Sequence, residues 1–315
     1  MSTAAVATAF GGPEVLRLIQ VDVAAPGPGE VTLAVRAAGV NPIDVKLYSG
    51  AFGTDPARLP LRLGFEVAGV VTAVGADASG PAGQVSVGDE VIAYRVDGGY
   101  AERLTVPASV VVPRPAALSW AAASGLLLTG GTAVHALTAT RVGAGDTVLI
   151  HAAAGGVGTM AVQLAVARGA RVIGTSSPAK HDFLRELGAE PVGYGTGLAD
   201  RVRALAPDGV DAAIDAIGSD EAIDVSVELV ADRSRVATIA GHRRGAGLGI
   251  ALLGGGPGAD PGTAIRDAAR LELVKLAGTG ALRVFVGRTF PLAEVAQAHR
   301  TILDGHAQGK IALLP

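Results

Sequence analysis

The run Asp146-Thr-Val-Leu-Ile-His-Ala-Ala-Ala-Gly-Gly-Val-Gly158 constrains this chain more than any other segment. Val148 to Ala152 is apolar apart from His151 and reads as a buried strand. The glycines force a tight turn, and Thr159 to Arg168 then reads as a helix. A glycine turn at a helix N-terminus aims unpaired N–H groups and the positive end of the helix dipole at one place, which suits phosphate. Gly155 lets the backbone approach a pyrophosphate, and Gly158 lets the helix pack close on the strand. Ala154, Gly156 and Val157 complete the loop. The bland alternative is a glycine-rich turn with no ligand, but the strand before it and the helix after it specify a dinucleotide site.

The next strand discriminates between dinucleotides. Ala170 to Thr175 is short and apolar and runs into Thr175-Ser176-Ser177-Pro178-Ala179-Lys180. An NAD site carries Asp or Glu about twenty residues after the glycines, to accept from the ribose 2′-hydroxyl. Here the place holds the small hydroxyls of Thr175 and Ser176, with the cation of Lys180 beyond. An acid would repel a 2′-phosphate; hydroxyls and a lysine attract it, so NADPH is expected over NADH. Read structurally, Lys180 is a solvated lysine at a helix start.

Composition excludes several classes. Hydrophobic residues make up 49% and charged residues 17%, ample for a core and unlike a disordered chain. The net charge of −3 is spread without a basic face, so nucleic acid is not an expected partner. Met-Ser-Thr-Ala-Ala-Val at the start lacks the basic region of a signal peptide, which points to the cytoplasm. Pro115 to Thr140 carries no formal charge, but glycines, hydroxyls and His135 interrupt it, so it reads as buried helix and not as a membrane span. Cysteine is absent, which removes disulfides, thiolate nucleophiles and Cys-based zinc sites. Of the six histidines (135, 151, 181, 242, 299 and 306), no two stand four apart.

Residues 1–118 read as β-rich: strands at Val31–Val35, Glu66–Val74 and Glu90–Ala93, with turns at Pro26–Gly29, Gly75 and Gly88-Asp89. That pattern predicts a small barrel-like domain. A helix is predicted over Ser119–Leu137. Strand and helix then alternate: Thr147–Ala152, Thr159–Arg168, Ala170–Thr175, Ala179–Leu187, Pro191–Gly193, Leu198–Leu205, Val210–Ala216, Glu221–Leu229, Arg235–Ala240 and Leu248–Leu253. The alternation predicts a parallel, doubly wound sheet. A helix over Thr263–Ala277 precedes a tail with a strand at Arg283–Val286, a helix at Leu292–Asp304 and a strand at Lys310–Leu314. The expected division is 1–118 with 279–315, and 119–278.

Along nearly its whole length the chain resembles the zinc-free quinone oxidoreductases of the medium-chain dehydrogenase/reductase superfamily. The segments that carry the resemblance are Gly39-Val-Asn-Pro-Ile-Asp44, Gly64-Phe-Glu-Val-Ala-Gly-Val-Val71, Gly88-Asp-Glu-Val91, Gly99-Tyr-Ala-Glu102, Gly131-Thr-Ala-Val-His-Ala-Leu137, the glycine turn, Leu187-Gly-Ala189 and Gly309-Lys-Ile-Ala-Leu-Leu-Pro315. It implies an α/β chain with a GroES-like barrel domain and a Rossmann domain. Zinc-dependent members have Cys where Asn41 stands and His where Phe65 stands, and an amide and a phenyl ring cannot replace those ligands. No metal is expected. Without a Lewis acid the substrate must accept hydride readily, as quinones and α,β-unsaturated carbonyls do.

The resemblance also implies roles for single residues. Asn41 lies near the nicotinamide in that family, although Asn41-Pro42 equally reads as a turn signal. Thr132 matches a cofactor contact, or is a helix-start hydroxyl; His135 reads as a satisfied helix histidine. Tyr194 matches a tyrosine beside the adenosine 2′-phosphate. Ala216, Ile217 and Gly241 follow strand ends, where the sheet crevice exposes backbone to the ribose. Lys310 matches a tail lysine near the cleft, or caps the preceding turn. Several members carry a substrate-facing tyrosine at the position of Lys46, whereas here the nearest is Tyr48, so Asn41, Lys46 and Tyr48 are the candidate catalytic residues. Lys46 reads equally as a surface lysine. The alternatives to a quinone or enone reductase are an enoyl reductase for a lipid- or polyketide-like substrate and a non-enzymatic NADPH-binding module. The apolar edge strand Leu248–Leu253 suggests a homodimer.

Overall fold

A computed structural model describes residues 1–305 and 308–315, so His306 lies outside the described residues. The chain divides into two compact units, one of Met1–Leu128 with Arg270–Pro315 and the other of Thr129–Ala269. The boundary therefore falls inside the helix Leu127–Ala139, about ten residues beyond the 118/119 division read from the sequence. Among the described residues, no helix is long and apolar enough to cross a membrane.

The first unit is built on a sheet in which Val111–Pro113, Glu90–Tyr94, Glu66–Val74, Glu30–Val40, Lys310–Leu314 and Val286–Pro291 lie side by side. Arg103–Pro107 also pairs with Glu30–Val40. The last strand of the chain thus inserts beside the long early strand, with Ala312 opposite Gly39. Its core is Val- and Leu-rich and encloses the full rings of Tyr48 and Tyr100. Each buried Val or Leu contributes roughly 1.5–3 kcal/mol, so small aliphatic side chains in number make up for a chain that is 3% aromatic.

The helix expected over Ser119–Leu137 is broken into Trp120–Ala123 and Leu127–Ala139. Close packing explains the break. A Cβ on Gly39 would stand 2.0 Å from the Ser124 carbonyl oxygen, and one on Gly125 would stand 2.9 Å from the Lys310 side chain. The chain bends there to meet both strands, and the buried Glu66 carboxylate accepts the Leu127 amide where the helix restarts. The predicted Thr263–Ala277 helix is likewise two, Thr263–Ala268 and Arg270–Gly278. The tail strand lies at Val286–Pro291 and not at Arg283–Val286, in parallel register with Lys310–Leu314.

The second unit holds six parallel strands in the order Ala189–Gly193, Arg171–Ser176, Thr147–His151, Ala212–Asp215, Val236–Thr238, Ala251–Leu252. Numbered along the chain this is 3-2-1-4-5-6, the doubly wound dinucleotide order, whose direction reverses beside Thr147–His151. The edge strand is only Ala251–Leu252, shorter than the Leu248–Leu253 read from the sequence. Leu248 and Gly249 precede it outside any strand, because Gly247 and Gly249 take positive φ (80° and 75°) and interrupt extended pairing.

Candidate active site

The glycine turn follows the central strand directly. Ala152 takes φ +53°, a region costly for a residue with a Cβ, and its amide is held by Thr175 Oγ1 at 3.1 Å. Gly155 caps the helix Gly156–Ala167, donating its amide to the Ala152 carbonyl at 2.9 Å. The Gly156, Val157 and Gly158 amides form its first turn, where an α-helix has no intrahelical acceptors for them. A Cβ on Gly158 would stand 2.2 Å from the Ala152 carbonyl, so glycine is what allows the helix to start this close to the strand. Gly155 and Gly156 are half-buried and Gly158 is buried, an arrangement that fits backbone approach to a pyrophosphate.

Three further groups of the predicted residues gather at the carboxyl ends of the parallel strands. Ser176 ends the second strand and Lys180 closes the 3-10 turn Pro178–Lys180 after it. Lys180 is half-buried, which lowers its ammonium pKa through desolvation. Tyr194 stands just beyond the third strand with its side chain 63% exposed. After the fourth strand, Asp215 Oδ1 accepts the amides of Ile217 and Gly218, both at 2.9 Å. Its Oδ2 accepts Thr238 Oγ1 at 2.6 Å, and Thr238 in turn accepts the Gly241 amide at 2.8 Å. Asp215 therefore ties the Ala216–Ile217 loop to the Gly241 loop, leaving Ile217 57% exposed.

Thr175 departs from the expectation of a phosphate-facing hydroxyl. It is buried, and its oxygen is spent on Ala152 and on His151 Nδ1, 3.5 Å away. His151 Nε2 meets Ser226 Oγ at 3.1 Å, and Ser226 donates to the Ala222 carbonyl. Burial pushes the His151 imidazole down to about 4, so it is neutral and serves as a buried link. Thr132 is buried in the helix Leu127–Ala139. His135 Nε2 meets Asp260 at 3.1 Å, in keeping with a satisfied helix histidine.

The first unit brings Asn41 and Lys310 together. Asn41 is 1% exposed; its Nδ2 donates to the Gly39 carbonyl at 3.1 Å, and its Oδ1 accepts the Lys310 ammonium. Lys310 Nζ also donates to the Val40 carbonyl at 3.0 Å. Asn41 precedes the helix Pro42–Tyr48 and its backbone N–H donates to Asp44 Oδ2 at 2.9 Å, so the Asn-Pro pair is also the turn signal it resembled. Desolvation raises the Asp44 carboxyl to about 6, against the amides of Gly64 and Asn41 and the Tyr100 hydroxyl that favour its charge.

Tyr48 is not presented to a substrate. The residue sits in a helix, 0% exposed, with its hydroxyl 2.8 Å from His299 Nδ1 and its ring stacked on the imidazole. A helix separates residues two apart by about 200°, so Tyr48 cannot take the place that Lys46 occupies. Lys46 is half-buried in the last turn of the same helix. Glu66 and His299 were not singled out from the sequence. Glu66 lies inside the Gly64–Val71 segment, where a carboxylate amid apolar strand residues was the available signal; nothing local marks His299.

Comparison with known proteins matches this geometry to its kin. Residues 27–116 match the alcohol dehydrogenase GroES-like domain, and residues 156–253 match the zinc-binding dehydrogenase family. A quinone oxidoreductase of Pseudomonas aeruginosa is 36% identical over 98% of both chains. The chain belongs to the zinc-free quinone oxidoreductases of the medium-chain dehydrogenase/reductase superfamily. Among solved structures, Escherichia coli quinone oxidoreductase complexed with NADPH superposes with a TM-score of 0.86 at 27% identity, covering 99% of this chain and 100% of that one. The CurK enoyl reductase superposes with a TM-score of 0.85 at 26% identity, covering 99% of each. The matched zinc-binding family description does not extend to a ligand set here, since Asn41 and Phe65 supply no thiolate or imidazole.

Proposed function

We propose that this oxidoreductase uses NADPH to reduce a quinone or an α,β-unsaturated carbonyl by direct hydride transfer, with no metal in the reaction. The observation that carries the reading is the pairing of a glycine turn, in which Gly158 leaves no room for a Cβ, with Ser176 and Lys180 where an NAD site would hold an acid. NADPH, when bound, supplies the hydride. The first-turn amides of Gly156, Val157 and Gly158 bind the pyrophosphate, and Lys180 with Ser176 and Tyr194 holds the 2′-phosphate. The Ala216–Ile217 and Gly241 loops line the ribose, with Thr132 a further contact. Asn41 offers an N–H to a ribose or acceptor oxygen. As hydride reaches the acceptor, the electron pair moves onto its carbonyl oxygen, and a proton from solvent or a weak acid completes the quinol or the saturated carbonyl.

The likeness to an enoyl reductase supports a second reading, a lipid- or polyketide-like enoyl substrate. A homodimer formed at the Ala251–Leu252 end of the sheet is part of the proposal, although Asp260 already bridges that edge at Leu253. Initial rates of NADPH and NADH consumption against ortho- and para-quinones, short enones and a long enoyl thioester test these readings. Quinone or enone turnover preferring NADPH supports the first, and thioester turnover alone the second. NADPH fluorescence quenching without oxidation by any acceptor overturns both in favour of a binding module.

A further inference from the structure

Lys310, Glu66 and Asp44 are titratable side chains buried inside the first unit, each at most 4% exposed. Burial raises the Glu66 carboxyl to about 7 and lowers the Lys310 ammonium, while their mutual attraction opposes both shifts. Glu66 Oε1 accepts the Leu127 amide, but Oε2 has no hydrogen-bond partner, a costly state for a buried carboxylate. Buried opposite charges are poor at stabilising a fold compared with apolar residues of similar size, so their presence calls for another account.

Asn41 supplies one. An amide has one acceptor oxygen and two N–H donors. Lys310 occupies the oxygen, and the Gly39 carbonyl takes one N–H at 3.1 Å. What remains is a single N–H. An ammonium cannot donate to an amide nitrogen, so the lysine also forbids the flipped amide. Lys310 is itself fixed by the Val40 carbonyl at 3.0 Å and by its stem packed against Gly125.

We propose that Lys310 and Glu66 are positioning residues: Lys310, with Glu66 as counter-charge, clamps the Asn41 oxygen and makes Asn41 an obligate hydrogen-bond donor. The group it meets must then be an acceptor, such as a ribose or carbonyl oxygen. The inference rests on Asn41 facing a ligand, as in the proposed function.

Asn41 is the sole asparagine of the chain, so asparagine-selective 15N labelling yields one side-chain amide pair in an NMR spectrum. The variants are Lys310→Met, Glu66→Gln and the double variant, which removes both charges and so keeps a fold that Lys310→Met alone would strain. The expected result is a double variant that recovers the thermal midpoint lost by Lys310→Met. Its Asn41 amide pair stays displaced from the wild-type position, and kcat/KM with NADPH stays down by roughly tenfold or more. Recovery of amide position and turnover together with the midpoint overturns the proposal and leaves the pair a structural one. If the wild-type protein oxidises no NADPH, the reading of its activity fails, while the amide resonances still decide whether Lys310 positions Asn41.

Discussion

The Ala152 amide donates to Thr175 Oγ1 at 3.1 Å, so the end of one strand holds the residue that turns backward into the glycine loop of its neighbour. The threonine thereby fixes the entry to the glycine loop. Thr175→Val keeps the shape and removes the acceptor, leaving a partly buried amide unpaired at about 1–3 kcal/mol. A lower unfolding midpoint and a several-fold weaker NADPH affinity by fluorescence titration are expected. Unaltered affinity would mean that the bond stabilises the sheet alone.

Lys180 closes the turn after the second strand, where an acid would favour NADH. Lys180→Ala removes a charged partner for the 2′-phosphate, an interaction of about 1.5–3 kcal/mol, so NADPH binding weakens by roughly tenfold or more while NADH barely changes. Titration with both cofactors checks this, and equal losses would remove the phosphate role.

The Tyr48 hydroxyl and His299 Nδ1 share a hydrogen bond of 2.8 Å in the core. Tyr48→Phe leaves that nitrogen unsatisfied and lowers stability by about 1–3 kcal/mol, with kcat within about twofold of wild type. A collapse of kcat with intact stability would restore Tyr48 as a substrate-facing group.

His299 Nε2 faces Tyr100 Oη at 3.3 Å, and Tyr100 bonds Asp44, so one neutral tautomer satisfies the whole line. Burial depresses the His299 imidazole from its ordinary 6.5 to about 4. Between those values the unfolded chain binds a proton that the folded chain refuses, so this residue's contribution is present above pH 6.5 and is lost as pH falls toward 4. Across that window it amounts to about 3 kcal/mol. The raised Asp44 and Glu66 carboxyls work the other way, since the folded chain keeps their protons to about 6 and 7. His299→Gln is therefore expected to cost most stability at pH 7 and least near pH 4.5, measured by chemical unfolding at each pH. A pH-independent difference would show that the imidazole is not held neutral.

Much of the second unit was legible because its information is local. Hydrophobic runs of strand length, glycines at a strand–helix junction and the Ser176–Lys180 segment each announce themselves within about ten residues. The break at Ser124–Leu126 was not legible, since helix propensity there is opposed by contacts with Gly39, Glu66 and Lys310, all more than fifty residues away. The strand expected over Val31–Val35 extends to Glu30–Val40, which pairs with three other segments and takes its length from them.

By itself the sequence determined the two architectures, the glycine turn between strand and helix, the cofactor preference expected from a missing acid, and the lack of zinc ligands at Asn41 and Phe65. These follow from residue type and spacing along the chain. Tertiary structure decided which polar groups are spent on the fold and which stay available. It turned Thr175 inward to Ala152, sealed Tyr48 against His299, and carried Lys310 across 269 positions to Asn41. A buried polar atom must find a partner wherever the fold brings one, and that pairing is written in three dimensions, not in spacing.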